Sequence, residues 1–274
     1  MTEQTLPTYD TIRLALHGAV AVITLNRPQR LNAAPPQMFS EIHAALQQLP
    51  SLGARALLIT GEGRAFCSGA DLQGLGQASP GAAPPPSRGA GAFQALTHHY
   101  GPAMLAISRL GIPVVTAVNG VAAGIGCALA LAADFTLAAR SAYFLEAFVN
   151  IGLVPDGGTT WMLTRQIGKA RATEMMMLGE RISADKAEGW GLIYRAVDDA
   201  DLQAQAMALA ERLAAGPTRA LGMIRQGLAR ALEQGYAEAL AMEAAHQHVA
   251  ADSADAAEGG KAFLEKRKTV FTGA

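Results

Sequence analysis

An α/β core followed by a helical C-terminal region is the fold class this sequence predicts, and three observations predict it. Short β-patterned runs recur through the first two thirds of the chain, and segments of helical periodicity separate them. From Ala200 onward only helical stripes of Leu, Met and Ala remain, interrupted at Gly216-Pro217. The expected organisation is therefore a core over residues 1–199 and a helical region over 200–274, with no internal repeat.

Taken in order, Thr11–Leu16 and Val20–Leu25 flank His17-Gly18 and read as a hairpin. Pro36–Leu49 carries Met38, Phe39, Ile42, Ala45, Leu46 and Leu49 at helical spacing. Arg55–Thr60 is a short β run, and residues 64–76 mix glycines and small residues. Gln77–Gly91 is rich in Pro, Gly, Ala and Ser without periodicity and reads as a mobile loop. Phe93–Arg109 is helical, Pro113–Val118 a strand and Ile125–Ala133 a helix. Phe135–Ala139 and Ala142–Phe148 read as strands, and Gly158–Gln166, Lys169–Leu178 and Ser183–Glu188 as helices.

The chain has 274 residues, half of them hydrophobic, with 16% charged and a formal net charge of -1. That length permits a sizeable buried core, and the composition argues against extended disorder. Charges of both signs are interspersed, so no basic field points to nucleic acid or an anionic membrane. No apolar run is long enough to span a bilayer. Met1–Asp10 lacks the order of a signal peptide. Two cysteines, Cys67 and Cys127, form no disulfide framework and suggest a reducing cytoplasm.

Two constrained turns stand out chemically. Gly152-Leu-Val-Pro-Asp-Gly-Gly158 sets a single carboxylate, Asp156, immediately before a helical run. Asn119-Gly-Val-Ala-Ala-Gly-Ile-Gly126 opens another helix and offers backbone N–H groups where negative charge is stabilised. An acid facing such a turn can move protons beside a carbonyl, although an Asp before a helix is more often its N-cap. Other chemistries lack their signatures. Gly124-Ile-Gly126 misses the third glycine of a dinucleotide fingerprint, and there is no Walker loop. Ser68 lies outside a hydrolase elbow. His246 and His248 are two apart on a helix and face different sides, so no metal site is expected. His98 and His99 read as solvated, and the cysteines as small core residues.

Five segments resemble the crotonase, or enoyl-CoA hydratase/isomerase, superfamily. They are Leu25-Asn-Arg-Pro28 with Leu31-Asn-Ala33, Gly61–Asp71, Pro113–Gly120, Gly152–Trp161 and Ala262–Arg267. Their order covers nearly residues 11–273. The resemblance implies a crotonase-like spiral of ββα units, a helical C-terminal trimerisation region giving a homotrimer or homohexamer, and an acyl-CoA thioester as ligand. Coenzyme A then arrives as part of the substrate, with no further cofactor. By motif position, the backbone N–H groups of Ala70 and Ile125 would hold the thioester oxygen while an enolate forms. One such donor is worth about 3–4 kcal/mol in the transition state. The coenzyme would be met by Arg27, Arg30, Ala33, Ala65, Phe66, Ala70, Phe263 and Lys266, although solvated surface charge is as good a reading of each cation.

Departures from the family pattern set the expected subclass. The two glutamates used by hydratases are replaced by Ala128 and Phe148, whereas Asp156 follows the proline as in isomerases of the superfamily. Phe148 and Trp161, with Ala128, would line an apolar pocket that raises the Asp156 pKa. Glu146 stands two before Phe148 and on a strand would share its face. It is either a second acid or a paired, peripheral charge, and the second reading is slightly favoured. The expected reaction is isomerisation, by opening a ring-1,2-epoxide of phenylacetyl-CoA toward its oxepin or by shifting a β,γ double bond to α,β. An enoyl-CoA hydratase, a non-catalytic CoA-binding protein and, distantly, a serine protease are the alternatives. The 77–95 segment is expected to set the acyl specificity.

Overall fold

Alternating β-branched runs and amphipathic helices sort themselves into two sheets with helices packed around them. The computed structural model describes residues 6–71, 87–231 and 233–274. β1 (Ile12–His17) and β2 (Val20–Leu25) form the expected hairpin, pairing antiparallel from Ile12 with Leu25 to His17 with Val20. β2 then pairs in parallel with β3 (Ala56–Gly61), whose six residues are all buried. A strand enclosed on both faces reads as a continuous apolar run, as Ala-Leu-Leu-Ile does here.

Of the second sheet, only Tyr143–Leu145 falls in a run that the sequence marks as a strand. β4 (Ala65–Cys67), β6 (Val121–Ala123) and β8 (Tyr143–Leu145) are three residues each, too short to show a period. They form a sheet in the order β4-β6-β8-β9, ended by the two-residue β9 (Ile182–Ser183). β5 (Val114–Val118), β7 (Phe135–Ala139) and β10 (Arg195–Val197) complete the larger sheet, β1-β2-β3-β5-β7-β10. Each chain segment between β3 and β9 thus donates one strand to each sheet in turn, the repeating unit of the spiral.

Helix α1 (Pro36–Gln48) buries Met38, Phe39, Ile42, Ala45 and Leu46, the stripe its spacing predicts. α2 (Arg88–Ala95) begins earlier than its pattern implies, because Ser87 accepts a capping bond from the Ala90 N–H. It passes through one π turn, Leu96–Tyr100, into α3 (Gly101–Ser108). Of the expected loop, residues 77–86 lie outside the described residues, and 88–91 are helical. α4 (Ile125–Leu131) is entirely buried. α5 (Thr159–Thr173) carries the expected break: Gly168, at φ 75° and ψ 163°, is non-helical and kinks it between the two helical runs the sequence predicts.

α6 (Ala184–Gly189) and α7 (Leu202–Ala214) follow, and α7 packs on β3 and β5. α8 (Thr218–Arg230), α9 (Tyr236–Ala251) and α10 (Ala254–Glu265) complete the chain. α8 and α9 pack on each other over a groove of about 510 Å³ lined by residues including Met223, Leu228 and Met242. No helix among the described residues is long and apolar enough to cross a membrane.

One expectation is corrected here. Ala142–Phe148 is not a single strand: β8 stops at Leu145, and Ala147–Ile151 is a 3-10 helix. Glu146, at the junction with φ -92° and ψ 73°, therefore shares no strand face with Phe148.

Candidate active site

The site is assembled where three chain reversals meet. The first leaves β4 through Ser68, Gly69, Ala70 and Asp71. Ala34 bridges this segment, donating to the Gly69 carbonyl at 2.8 Å and accepting from the Asp71 N–H at 2.9 Å. A parallel bridge of that kind uses the groups on either side of Ala70 and leaves the Ala70 N–H out of the ladder. The second reversal is the start of α4, where the Ile125 N–H is among the first-turn donors that the helix itself cannot satisfy.

Gly126 brings these two reversals together. A Cβ there would lie 2.5 Å from the Cys67 carbonyl oxygen and 2.8 Å from Cys67 Sγ. Only glycine lets the first turn of α4 rest on the end of β4. Ala70 and Ile125, on either side of that contact, therefore belong to one corner of the molecule.

The third reversal carries Asp156. Gly157, at φ +62°, lies so close to α4 that a Cβ would sit 2.6 Å from both Ala128 Cβ and Ile125 Cδ1. The Asp156 turn is thus seated directly on Ile125 and Ala128. Asp156 is not the N-cap of α5: that position is Gly158, and no side chain caps the helix. The Asp156 carbonyl accepts from the Thr159 N–H at 3.1 Å and from Thr159 Oγ1 at 2.9 Å. Its carboxylate Oδ1 is buried without a hydrogen-bond partner among the described residues. Burial pushes the Asp156 carboxyl up to about 6. A group with that pKa can both take and return a proton near neutrality.

Glu146 is not peripheral, and no cation among the described residues pairs with it. It is 0% exposed, its Oε1 has no hydrogen-bond partner among the described residues, and Thr159 Oγ1 lies 3.4 Å from its Oε2. Burial, with a further contribution from the neighbouring Asp156 charge, pushes it up to about 8. The charge pattern of the sequence gave no means of foreseeing this, because burial is set by how β8 ends. Phe148, by contrast, lies beside the turn that opens α4: its ring is 3.3 Å from where a Cβ on Gly124 would stand. Ala128 is fully buried.

Several expected contacts fall elsewhere. Trp161 is turned outward, 42% exposed, with its indole N–H given to Glu233 at 3.2 Å and Arg165 stacked on its ring. It therefore does not wall the pocket within this chain. Phe66 is wholly enclosed in the core, so its ring cannot meet a ligand. Arg27 is half-buried and engaged in holding the loop: it pairs with Asp71 at 2.9 Å and donates to the Ala33 carbonyl. Ala65 is buried, with its carbonyl receiving the Asn32 side chain at 2.8 Å. Arg30 and Ala33 lie on the preceding bend, Arg30 exposed. Phe263 and Lys266 are exposed on α10 and just beyond it, where Lys266 adopts a left-handed conformation.

Three contributors escaped the sequence reading. Asn32 is fully buried at φ 54° and binds the Glu62 and Ala65 carbonyls, and Asn119 binds the Gly61 and Gly63 carbonyls. Together they pin the strand-to-strand bend that feeds β4. Tyr100, 3% exposed, donates to the Ala34 carbonyl at 2.8 Å. Burial and then the Asp156 charge raise its phenol, so it stays neutral beside that carboxylate. Among the described residues no group of His, Cys, Asp and Glu could hold a metal ion.

Comparison with known proteins follows the same lines. The enoyl-CoA hydratase/isomerase family profile matches residues 16–274. This chain belongs to that family. A Rhodobacter capsulatus relative described as a "probable enoyl-CoA hydratase" is 44% identical over 97% of this chain and 99% of its own. The 1,2-epoxyphenylacetyl-CoA isomerase of Escherichia coli is 42% identical over 93% of this chain and 95% of its own. A crystal structure of an enoyl-CoA hydratase from Polaromonas superposes with a TM-score of 0.87 at 33% identity, covering 95% of this chain and 99% of that one. Members of the family act on acyl-CoA substrates, and the α/β spiral described above is the crotonase fold.

Proposed function

We propose that this family member is an acyl-CoA isomerase that works with one carboxylate, Asp156. A single observation carries the reading: Asp156 is the acid on the turn seated against Ile125, uncapped and raised by burial, while Ala128 and Phe148 supply no second acid. In this reading the Ala70 and Ile125 N–H groups hold the thioester oxygen. Asp156 takes a proton from the α-carbon of a β,γ-unsaturated thioester, and the electron pair moves into an enolate stabilised by those two donors. The proton returns at the γ-carbon, leaving the conjugated α,β isomer. For a ring-1,2-epoxide of phenylacetyl-CoA, the same oxyanion site and acid promote epoxide opening toward the oxepin. The printed function of the Escherichia coli relative supports that substrate. Coenzyme contacts would come from the Arg30–Ala33 bend and the Ala65 backbone, with Phe263 and Lys266 contributing across a subunit boundary of a homotrimer or homohexamer.

Hydration is the competing reading, favoured by the description of the Rhodobacter relative and by Glu146 lying buried beside Asp156. The discriminating experiment compares wild type with Asp156→Asn on β,γ-enoyl-CoA, ring-epoxide phenylacetyl-CoA and crotonyl-CoA, with product identification. Isomerisation should fall about a hundredfold or more in the variant, and wild-type hydration of crotonyl-CoA should be weak. A well-folded Asp156→Asn enzyme that isomerises normally removes Asp156 from the mechanism. Faster hydration of crotonyl-CoA than any isomerisation assigns the chain to the hydratases.

A further inference from the structure

Single-carboxylate catalysis leaves a second buried carboxyl unexplained. Glu146 is 0% exposed, and no ion pair among the described residues includes it. Its surroundings contain one directional clue. Thr159 Oγ1 lies 2.9 Å from the Asp156 carbonyl oxygen and 3.4 Å from Glu146 Oε2. A hydroxyl has one proton to donate. The shorter contact is to a carbonyl, which can only accept, so that contact takes the Thr159 proton. The remaining contact is then satisfied if Glu146 is the donor and the Thr159 oxygen accepts.

An ionised Glu146 would be poorly placed. It would present Oε2 to an oxygen whose proton points away, keep Oε1 without a hydrogen-bond partner among the described residues, and face an Asp156 carboxylate with no cation among them paired to either. We propose that Glu146 is a positioning residue held as a neutral carboxylic acid, which donates to Thr159, fixes the Asp156 turn, and leaves Asp156 as the one carboxylate of the site that ionises. This rests on Asp156 being the base.

The groups facing the pair bring no positive charge. From α4 comes the Cys127 thiol, pushed well up by burial and by Glu146 and therefore neutral; its hydrogen bond to Glu146 favours the ionised acid, and burial outweighs that effect. From α5 comes Thr159, and from the end of the π turn Tyr100, neutral beside Asp156. No lysine, arginine or histidine in the described residues is paired with either carboxyl. Burial separates the two acids in the required order, with Asp156 near 6 and Glu146 near 8. Above the higher value a second negative charge appears beside Asp156 and the donated bond to Thr159 is lost. Turnover should therefore rise as the pair loses its first proton and fall as it loses the second.

The test measures kcat and KM on a β,γ-enoyl-CoA from about pH 5 to about pH 9 for wild type, Glu146→Gln, Glu146→Ala and Asp156→Asn. Infrared difference spectra at neutral pH accompany the kinetics. Wild type should give a bell-shaped kcat profile and a carboxylic-acid carbonyl band that Glu146→Gln lacks. Gln keeps a donor toward Thr159 but cannot ionise, so kcat should fall no more than about tenfold with KM unchanged, and the alkaline fall should vanish. Glu146→Ala, which loses the donor, should fall further, and Gln should restore most of that loss. An ionised Glu146 in the neutral-pH spectrum overturns the proposal even if no variant folds. So does an alkaline limb that persists in Glu146→Gln, or a Gln variant as inactive as Asp156→Asn at every pH. An active Asp156→Asn enzyme would refute the base assignment separately, with the carbonyl band still reporting on Glu146.

Discussion

Gly157→Ala perturbs the seat of the Asp156 turn without touching a titratable group. A Cβ at this position would stand 2.6 Å from Ala128 Cβ and 2.6 Å from Ile125 Cδ1. Carbon atoms rest about 3.5–4.0 Å apart, so both contacts must open by roughly 1 Å. Ile125 and Ala128 are 2% and 0% exposed and have little room to yield. The left-handed φ of +62° adds about 1–2 kcal/mol for an L side chain, and overpacking about 1–3 kcal/mol. The expected destabilisation is therefore about 2–5 kcal/mol, read by urea denaturation at fixed protein concentration. Because Asp156 is the adjacent residue, its displacement from the Ile125 N–H should cost about a hundredfold in turnover. Ile125→Val removes only the Cδ1 contact, so the double variant should recover about 1 kcal/mol relative to additivity. Wild-type stability and turnover in Gly157→Ala would refute the packing argument. Additivity in the double variant would show that Ile125 is not the atom in the way.

Asp156→Asn should unfold at a temperature close to wild type while losing activity, because its carboxylate does not cap α5 and pairs with no cation among the described residues. The raised pKa of Glu146 makes a second prediction, with a definite sign. A carboxyl displaced from 4.5 to about 8 binds its proton more tightly in the folded state. That contribution to stability is fully present below about pH 4.5 and is lost as pH rises through about 8. Glu146→Gln should therefore gain on wild type across that window, by at most about 1.4 kcal/mol per pH unit, in chemical denaturation series. Assembly is a third measurable expectation: light scattering should show a trimer or dimer of trimers, and a stable, active monomer would contradict it.

The sequence by itself marked β1, β2, β3, β5 and β7 of the larger sheet, though not β10, and the acid and glycine pattern of the turns. β3 and β5 are runs of apolar residues long enough to show their period, and α1 displays its buried stripe in its spacing. Asp156 was visible because a proline, two glycines and one acid form a local pattern, and local patterns survive in one dimension. Of the second sheet only β8 was visible, and with the wrong end, since three-residue strands carry no periodicity and exist only because β4, β6 and β8 find one another. The ionisation of Glu146 was decided in the same way. Its burial depends on β8 ending at Leu145 and on α5 delivering Thr159 to it, contacts that no spacing between positions 146 and 159 announces. Trp161 and Arg27 make the complementary point: type and motif place them near the site, but Glu233 and Asp71, distant in sequence, decide where their polar atoms go. Residue type is inherited from the chain. Burial and partnership, which set the pKa and the direction of every donor here, come from elements that meet only on folding.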